Sequence, residues 1–490
     1  MDAKEKIVTP GFIDVHMHSD SFVFNKHYGV PQIREGVTSS LNGNCGLSIV
    51  PLPKNKKNMI LNTLRPVVGR LPKDKEFESF PEYLKLLEKN KHPINFGMNI
   101  GNGTLRMAVK GFDKGKLSEE EIQRIHKLLI EAINSGAFAV SLGLEYMPEN
   151  LYSTEEIIEV LMPIKNTNIP LVTHIRGEGN LLVSSIKEVI YIAKKLNVPL
   201  HISHLKCIGK KNWGHLLNEA IKLIENAQNN GMKITADVYP WTAGSTQLVK
   251  LLPPQFLEGG EEETLKRLKD PKQREICKNI LSKDQEDFEN ILYLIGWESV
   301  MITTVDLEKN QKYVGKLVSE IAKEENKDPY DFAFDLLIEE DLKVSMVNFS
   351  LCEDDVERII KLPFTFIISD SIFPKGGLIH PRQYGSFARF LEIYINKKKI
   401  LSLEEGIYKI TGFPAEVFNI RNKGKIKVGY DADLVIFDLE NIKNNSDYIN
   451  SMEYASGFDY VFVAGEMANK KDKYIEVNVG RILRGEHRLK

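Results

Sequence analysis

Cysteine is scarce. The chain of 490 residues holds four, Cys45, Cys207, Cys277 and Cys352, too few to staple so long a fold. A disulfide framework is therefore excluded, and a reducing, cytoplasmic setting is expected. No apolar run approaches the roughly 18 residues that span a bilayer. The opening segment Met1-Asp2-Ala3-Lys4-Glu5-Lys6 has no signal-peptide core. Net charge is almost absent: a formal −2 supplies no field that would draw in nucleic acid or an anionic membrane. Internal repeats and low-complexity linkers are missing too. What remains is an ordinary globular composition, 42% hydrophobic and 27% charged. The length suits one large domain with accessories, or a few ordinary ones.

Strand-like and helix-like segments alternate through the first three quarters of the chain. Strand candidates are Gly11–His18, Val37–Asn44, Ile94–Ile100, Ala137–Leu144, Pro170–Ile175, Pro199–Leu205, Lys233–Tyr239 and Phe364–Asp370. Most are short β-branched or apolar runs bounded by Gly, Pro or Asn. Clear amphipathic helices lie between several of them. Ser118 and Glu121 form a capping box that opens a helix running to Ser135, with Gly136 closing it. Leu182–Leu196 and His215–Asn229 are two more. This rhythm predicts an α/β fold, a (β/α)8 TIM-like barrel over residues 11–400, with an open doubly wound sheet as the alternative. At about 253–348 the rhythm breaks into a charged insertion that reads as helical at Tyr313–Glu325 and Asp328–Glu340. It precedes strand eight, so it is expected either to wall or cover the active-site face or merely to decorate it. Residues 401–490 change register again. A helix is followed by strands at Ile426–Asp438 and Tyr460–Gly465, which predict a small β unit outside the barrel.

The chemistry gathers at the C-terminal tips of the proposed strands. Strand one ends in His16-Met17-His18, two imidazoles whose i, i+2 spacing puts them on one face, an arrangement suited to zinc. Strand two ends at Cys45, strand five at His174, strand six at His204 and strand eight at Asp370. Singly, each has an unremarkable reading as a core histidine or a small buried hydrophobe. Jointly they predict a metal centre. His201 lies three residues before His204 and so faces the other way; it and Cys207 are expected to be structural.

At this point the chain resembles the N-acyl-D-amino-acid deacylase (D-aminoacylase) branch of the amidohydrolase superfamily. The strings that carry the resemblance are Pro10–His18, Gly36-Val37-Thr38 through Gly43-Asn44-Cys45-Gly46, Leu142–Tyr146, Ile202–Lys206, Asp237–Thr246 and His380–Phe387. They extend over nearly the whole sequence. The resemblance implies a barrel carrying a discontinuous β-sandwich. It implies that Cys45 takes the place of the carboxylated lysine of dihydroorotases and hydantoinases, and strand four has no lysine among Phe138–Tyr146. It also implies one tightly held Zn²⁺ on Cys45, His174 and His204. A second, weaker position would be lined by His16, His18, Cys45 and Asp370.

Three protein ligands leave one coordination position open, the pattern of a catalytic zinc. Asp370 would then take a proton from water and deliver it to the departing amine. By resemblance, Arg382 and Tyr239 would hold the substrate α-carboxylate, Arg382 through its two-pronged guanidinium. Lys206 would either meet an acidic substrate side chain, as in an N-acyl-D-glutamate, or brace the pocket. The expected partner is thus a small N-acyl-D-amino acid. The alternatives are a cyclic-amide hydrolase of the hydantoinase or dihydroorotase kind, or a non-catalytic barrel scaffold. The family resemblance also implies a longer N-terminal segment than residues 1–10 provide. The small sandwich is accordingly expected to be incomplete, with bare strand edges within Ile426–Gly465, a known aggregation hazard, and poor stability.

Overall fold

The computed structural model describes residues 3–374 and 376–489. Met1 and Asp2, part of the expected N-terminal remnant, lie outside these described residues. The architecture is mixed α/β, built on parallel strands with helical connections. Phe12–Asp14, Val37–Asn42 and Asn95–Met98 pair in that order, all parallel. Ile100–Gly101, Val140–Gly143, Leu171–His174, Leu200–Ile202, Ile234–Val238 and Thr365–Ile367 pair in a second parallel set. Backbone bonds stitch the sets together at both ends. On one side Phe138 N donates to Met98 O at 3.0 Å. On the other, Asp370 N donates to His16 O and His18 N to Ser371 O, again at 3.0 Å.

Nearly every residue of these strands is buried, which is why they read as continuous apolar runs instead of alternating ones. They are shorter than the sequence suggests. The first stops at Asp14, since the Asp14 carboxylate accepts from His16 N at 3.2 Å and turns the chain out of the ladder. Helices follow expectation closely. Ser118 caps Glu119–Ser135 in a complete capping box, and Gly136 ends it with φ 112°, a left-handed conformation that favours glycine. Leu182–Leu196 and His215–Asn229 form as read.

The insertion differs from its purely helical reading. Val300–Thr304 and Ser345–Asn348 are strands, and with Gly244–Gln247 they make a separate antiparallel sheet. Their residues alternate too little in polarity to stand out among charged helices. The helix expected at Tyr313–Glu325 begins only at Val318, because Gly315 at φ 84° breaks the chain. Pro329–Glu339, capped by Asp328, forms nearly as read.

The C-terminal unit is a five-stranded sheet in the order Ile7–Pro10, Leu434–Phe437, Phe458–Val463, Glu466–Lys470, Lys473–Tyr474. The expected bare edges within Ile426–Gly465 are not found. Leu434–Phe437 pairs with Ile7–Pro10 on one side and Phe458–Val463 on the other, so both strands are interior. Residues 7–10 were read only as a remnant, yet their main chain closes that edge. The sheet packs on the parallel strands through Phe12, which meets Phe437 and Phe458 edge-on and stacks on Phe387.

Candidate metal centre and active site

Side chains from five strand ends converge just beyond the C-terminal tips. Cys45, His174 and His204 each offer a ligand atom, all within 4.8 Å of one another, and so do His16, His18 and Cys45. Cys45 is common to both groups. Its sulfur lies 3.3 Å from His16 Nε2 and 3.5 Å from His204 Nε2, and His174 Nδ1 lies 2.8 Å from His204 Nε2. Two atoms bound about 2.0–2.3 Å from one tetrahedral ion stand roughly 3.3–3.6 Å apart. The Cys45–His204 spacing already fits. The His174–His204 contact is tighter than that. The donor set, one thiol with buried imidazoles, is of the kind zinc prefers.

Backbone conformation delivers these groups at some cost. Cys45, His204 and Asp370 have φ of 53°, 34° and 52°, left-handed values that cost a non-glycine residue on the order of 1–3 kcal/mol each and that cluster at functional sites. The Cys45 turn is wedged among glycines. A Cβ at Gly143 would stand 2.0 Å from Cys45 O, and one at Gly101 would stand 2.5 Å from Gly46 O. The carbonyl of Cys45 thus fills the space in which a side chain on the end of the fourth parallel strand would begin. No lysine could project into the site from there.

Each inward-facing imidazole but one is held from behind by a carboxylate. His16 Nδ1 is 3.2 Å from Asp237 Oδ2, His174 Nε2 is 2.7 Å from Glu145 Oε2, and His204 Nδ1 is 3.0 Å from Glu178 Oε1. Such partners fix the ring and raise its basicity as a ligand. His18 Nε2 lies 3.3 Å from Asp370 Oδ1, while its buried Nδ1 has no hydrogen-bond partner among the described residues. Asp237 also accepts from His204 N and contacts His201 Nε2 at 2.9 Å. His201 therefore stands outside the cluster, stacked on Phe366, and Cys207 is turned toward Asn212 O; neither joins the ligand groups. Asp237 and Glu145 lie in strings that carry the family resemblance, yet no motif in the sequence marks their carboxylates, or that of Glu178, as partners of the histidines. The available signal was positional, since all three sit at or just beyond strand ends.

The electrostatics follow from crowding charge in a dry pocket. Burial works against a thiolate at Cys45. The charge and hydrogen bond of His16, helped by His174 and His18, outweigh it and hold the thiol well below its usual range. Burial likewise opposes a charged His174, but Glu178, Cys45 and Glu145 push it up to about 10. Asp370 is held well below the usual carboxylate range despite burial, chiefly by Arg382 and then by His18 and His16. A metal ion replaces the protons these ligands carry.

Asp370 and Arg382 form a buried ion pair, Nη1 to Oδ2 2.8 Å, and Arg382 Nε has no hydrogen-bond partner among the described residues. The three expected carboxylate anchors are brought together around one ring. The Arg382 guanidinium lies 5.0 Å and Lys206 Nζ 5.7 Å from the centre of Tyr239. Lys206 donates to Glu178 Oε1 at 2.5 Å and lies 2.6 Å from His204 Nδ1. Its bracing contact is thus the one present here. The inner pocket, about 100 Å³, is lined by these groups and by Ile291, Ser345 and Asn348 of the insertion. The insertion therefore forms part of the pocket wall.

A thiol–imidazole cluster at the C-terminal ends of parallel strands, with an adjacent carboxylate, defines a metal-dependent hydrolase site, and residues 339–468 match the amidohydrolase family model. The chain is 30% identical over 483 residues to a D-aminoacylase of Alcaligenes xylosoxydans xylosoxydans, covering 99% of this chain and 88% of that protein. It is 28% identical over 466 residues to an N-acyl-D-aspartate deacylase of the same organism, with 95% and 82% covered. A solved D-aminoacylase structure superposes with a TM-score of 0.79 at 30% identity, covering 99% of this chain and 90% of that one. The chain belongs to the D-aminoacylase family of amidohydrolases. No helix among the described residues is long and apolar enough to cross a membrane.

Proposed function

We propose that this protein hydrolyses the amide bond of N-acyl-D-amino acids, releasing a D-amino acid and a carboxylate. The single observation that carries the reading is the Cys45–His174–His204 cluster facing the Asp370–Arg382 pair across one small pocket. The parallel strands, stitched at Met98–Phe138 and at His16–Asp370, support a closed (β/α)8 barrel of eight strands. Four unpaired cysteines support a reducing, cytoplasmic setting.

In this reading Cys45, His174 and His204 hold Zn²⁺ tightly, and His16 and His18, with Cys45, supply a second, weaker position beside Asp370. Zinc bound there contributes Lewis acidity toward the amide carbonyl and toward water. The rest is the work of the chain's own groups. Asp370, ionised and buried, accepts the proton of the attacking water on Oδ1 and returns it to the amine nitrogen, which leaves poorly unless protonated. Arg382 and Tyr239 hold the α-carboxylate, with Arg382 moving its fork from Asp370 to the substrate, and Lys206 braces the pocket through Glu178. That exchange frees Asp370 when substrate is in place. Glu145, Glu178 and Asp237 keep the imidazoles oriented. Cys45, together with a fourth strand that carries no lysine and has no room for a side chain at Gly143, weighs against a cyclic-amide hydrolase. An intact donor set weighs against a non-catalytic scaffold.

The test is release of free amine from paired N-acetyl-D- and N-acetyl-L-amino acids (Glu, Met and Leu) by zinc-loaded protein. Selective turnover of the D-series is expected. Turnover of a hydantoin, with none of the N-acetyl compounds, would replace this reading with the cyclic-amide one.

A further inference from the structure

The inner pocket is too small for a complete substrate. About 100 Å³ lies well under the roughly 300–1,000 Å³ of small-molecule sites. It continues into an outer cavity of about 720 Å³, and the two share Thr63, Pro66, Met147, Gln247, Lys250 and Ser345 along their junction. An extended arm that leaves the inner pocket would pass this junction.

Lys250 is the charged residue there, and it has been given nothing to bind. Its ammonium lies 5.3 Å from the centre of the Tyr146 ring, and Tyr146 OH is 3.4 Å from His174 Nδ1. The cation thus sits about one aromatic ring away from the metal ligands. It makes no hydrogen bond and no ion pair with any described residue; besides the ring, only the charge of Glu145 acts on it, through space, while burial pulls its pKa down. A half-buried ammonium resting on an aromatic face beside unengaged polar groups is suited to an anion that arrives from outside. Gln247 and Ser345 face each other in register on adjacent strands beside it.

Position decides which anion. The α-carboxylate anchors Tyr239 and Arg382 follow the seventh and eighth parallel strands, whereas Tyr146, which carries Lys250, follows the fourth. Lys250 therefore stands across the pocket from the α-carboxylate, on the side where the chain beyond the scissile amide must run.

Resting on the deacylase reading, we propose that the substrate carries a second carboxylate, remote from its α-carboxylate, and that Lys250 is the specificity-determining residue that receives it. The geometry assigns that second carboxylate to a dicarboxylic acyl arm and not to the amino-acid side chain. Two matched pairs separate them: N-succinyl- against N-succinamoyl-D-leucine, and N-acetyl-D-glutamate against N-acetyl-D-glutamine. In the zinc-loaded protein N-succinyl-D-leucine is expected to exceed its neutral partner in kcat/KM by about 10- to 100-fold, the range of a charge-assisted hydrogen bond. A response confined to the glutamate pair would place the carboxylate on the amino-acid side chain and overturn the assignment to the acyl arm. Lys250→Met should collapse that ratio toward one, chiefly through KM, and Lys250→Arg should preserve most of it. Ratios near one for both pairs in the unmodified protein, or a ratio that survives Lys250→Met, would overturn the proposal while leaving the deacylase reading intact. No turnover of all four compounds would instead remove that reading and this one together.

Discussion

Replacing Asp370 by Asn separates proton transfer from metal binding. The carboxylate touches His18 Nε2 at 3.3 Å and His16 Nε2 at 3.5 Å through one oxygen and takes a 2.8 Å bond from Arg382 on the other. Asparagine keeps the shape and loses both the charge and the basic oxygen. Loss of a positioned acid–base group typically costs about 10²–10⁴ in rate, or roughly 3–5 kcal/mol of barrier. A second cost falls on stability, because Arg382, 2% exposed, is left as a buried charge without its counter-ion. Breaking such a pair costs about 3–5 kcal/mol, and the amide oxygen can still accept from Nη1, so the lower figure of about 3 kcal/mol is expected. A protein of ordinary stability survives that loss. The assay therefore needs three readouts on one preparation: kcat with an N-acyl-D-amino acid, metal content per chain, and a urea unfolding curve. Expected are near-normal tight-site metal, a lower midpoint, and turnover down by about three orders of magnitude. Turnover within about tenfold of normal would refute the proton-carrier role. Loss of tight-site metal along with activity would recast Asp370 as a ligand.

Two further outcomes follow from the surroundings of Cys45. Gly143→Ala places a methyl 2.0 Å from Cys45 O, with only backbone to yield; the thiol should shift, and metal content should fall with a destabilisation of about 1–3 kcal/mol. Unchanged metal content would show that the turn is not held by this contact. Burial pushes the Glu149 carboxyl from 4.5 up to about 7, against the bonds it receives from Asn102 and Gly143. Between those values the folded state keeps a proton that the unfolded state has released, so this group makes stability fall as pH rises through the window and adds no slope above it. Glu149→Gln should remove about 3 kcal/mol of the fall between pH 4.5 and 7, measured as the difference between variant and parent urea curves. Parallel curves would show that Glu149 is not the titrating group, even though Asp14 and Asp20, raised to about 7 and about 6, contribute slope of the same sign.

Much of this site was legible because its donors are rare residue types at strand ends. His16, His18, Cys45, His174, His204 and Asp370 stand out against runs of Val, Ile and Leu. The helices were legible from their caps, as at Ser118 and Gly136. The strands of the insertion were not, because Ser345–Asn348 and Gly244–Gln247 are short, polar and paired across about a hundred residues of intervening chain. The carboxylates behind the histidines were hidden for another reason. Glu145, Glu178 and Asp237 sit among ordinary acidic residues, and only the folded geometry shows which acids have a histidine in front of them. Lys250 escaped notice in the same way. A lysine is conspicuous by having no partner, and partners are invisible in one dimension.

The stitching of the parallel strands fixes when this site can come into being. His16 and His18 take their last backbone neighbours from Asp370 and Ser371, and the strand leading into them pairs Ile7 with Phe437. A ribosome adding roughly 5–20 residues per second needs about 20–70 s to pass from His18 to Asp370. Throughout that interval His16 and His18 lack Asp370, the carboxylate that faces both imidazoles in the folded site. The donor cluster and the carboxylate that faces it can therefore come together only once residue 371 has been added, late in synthesis.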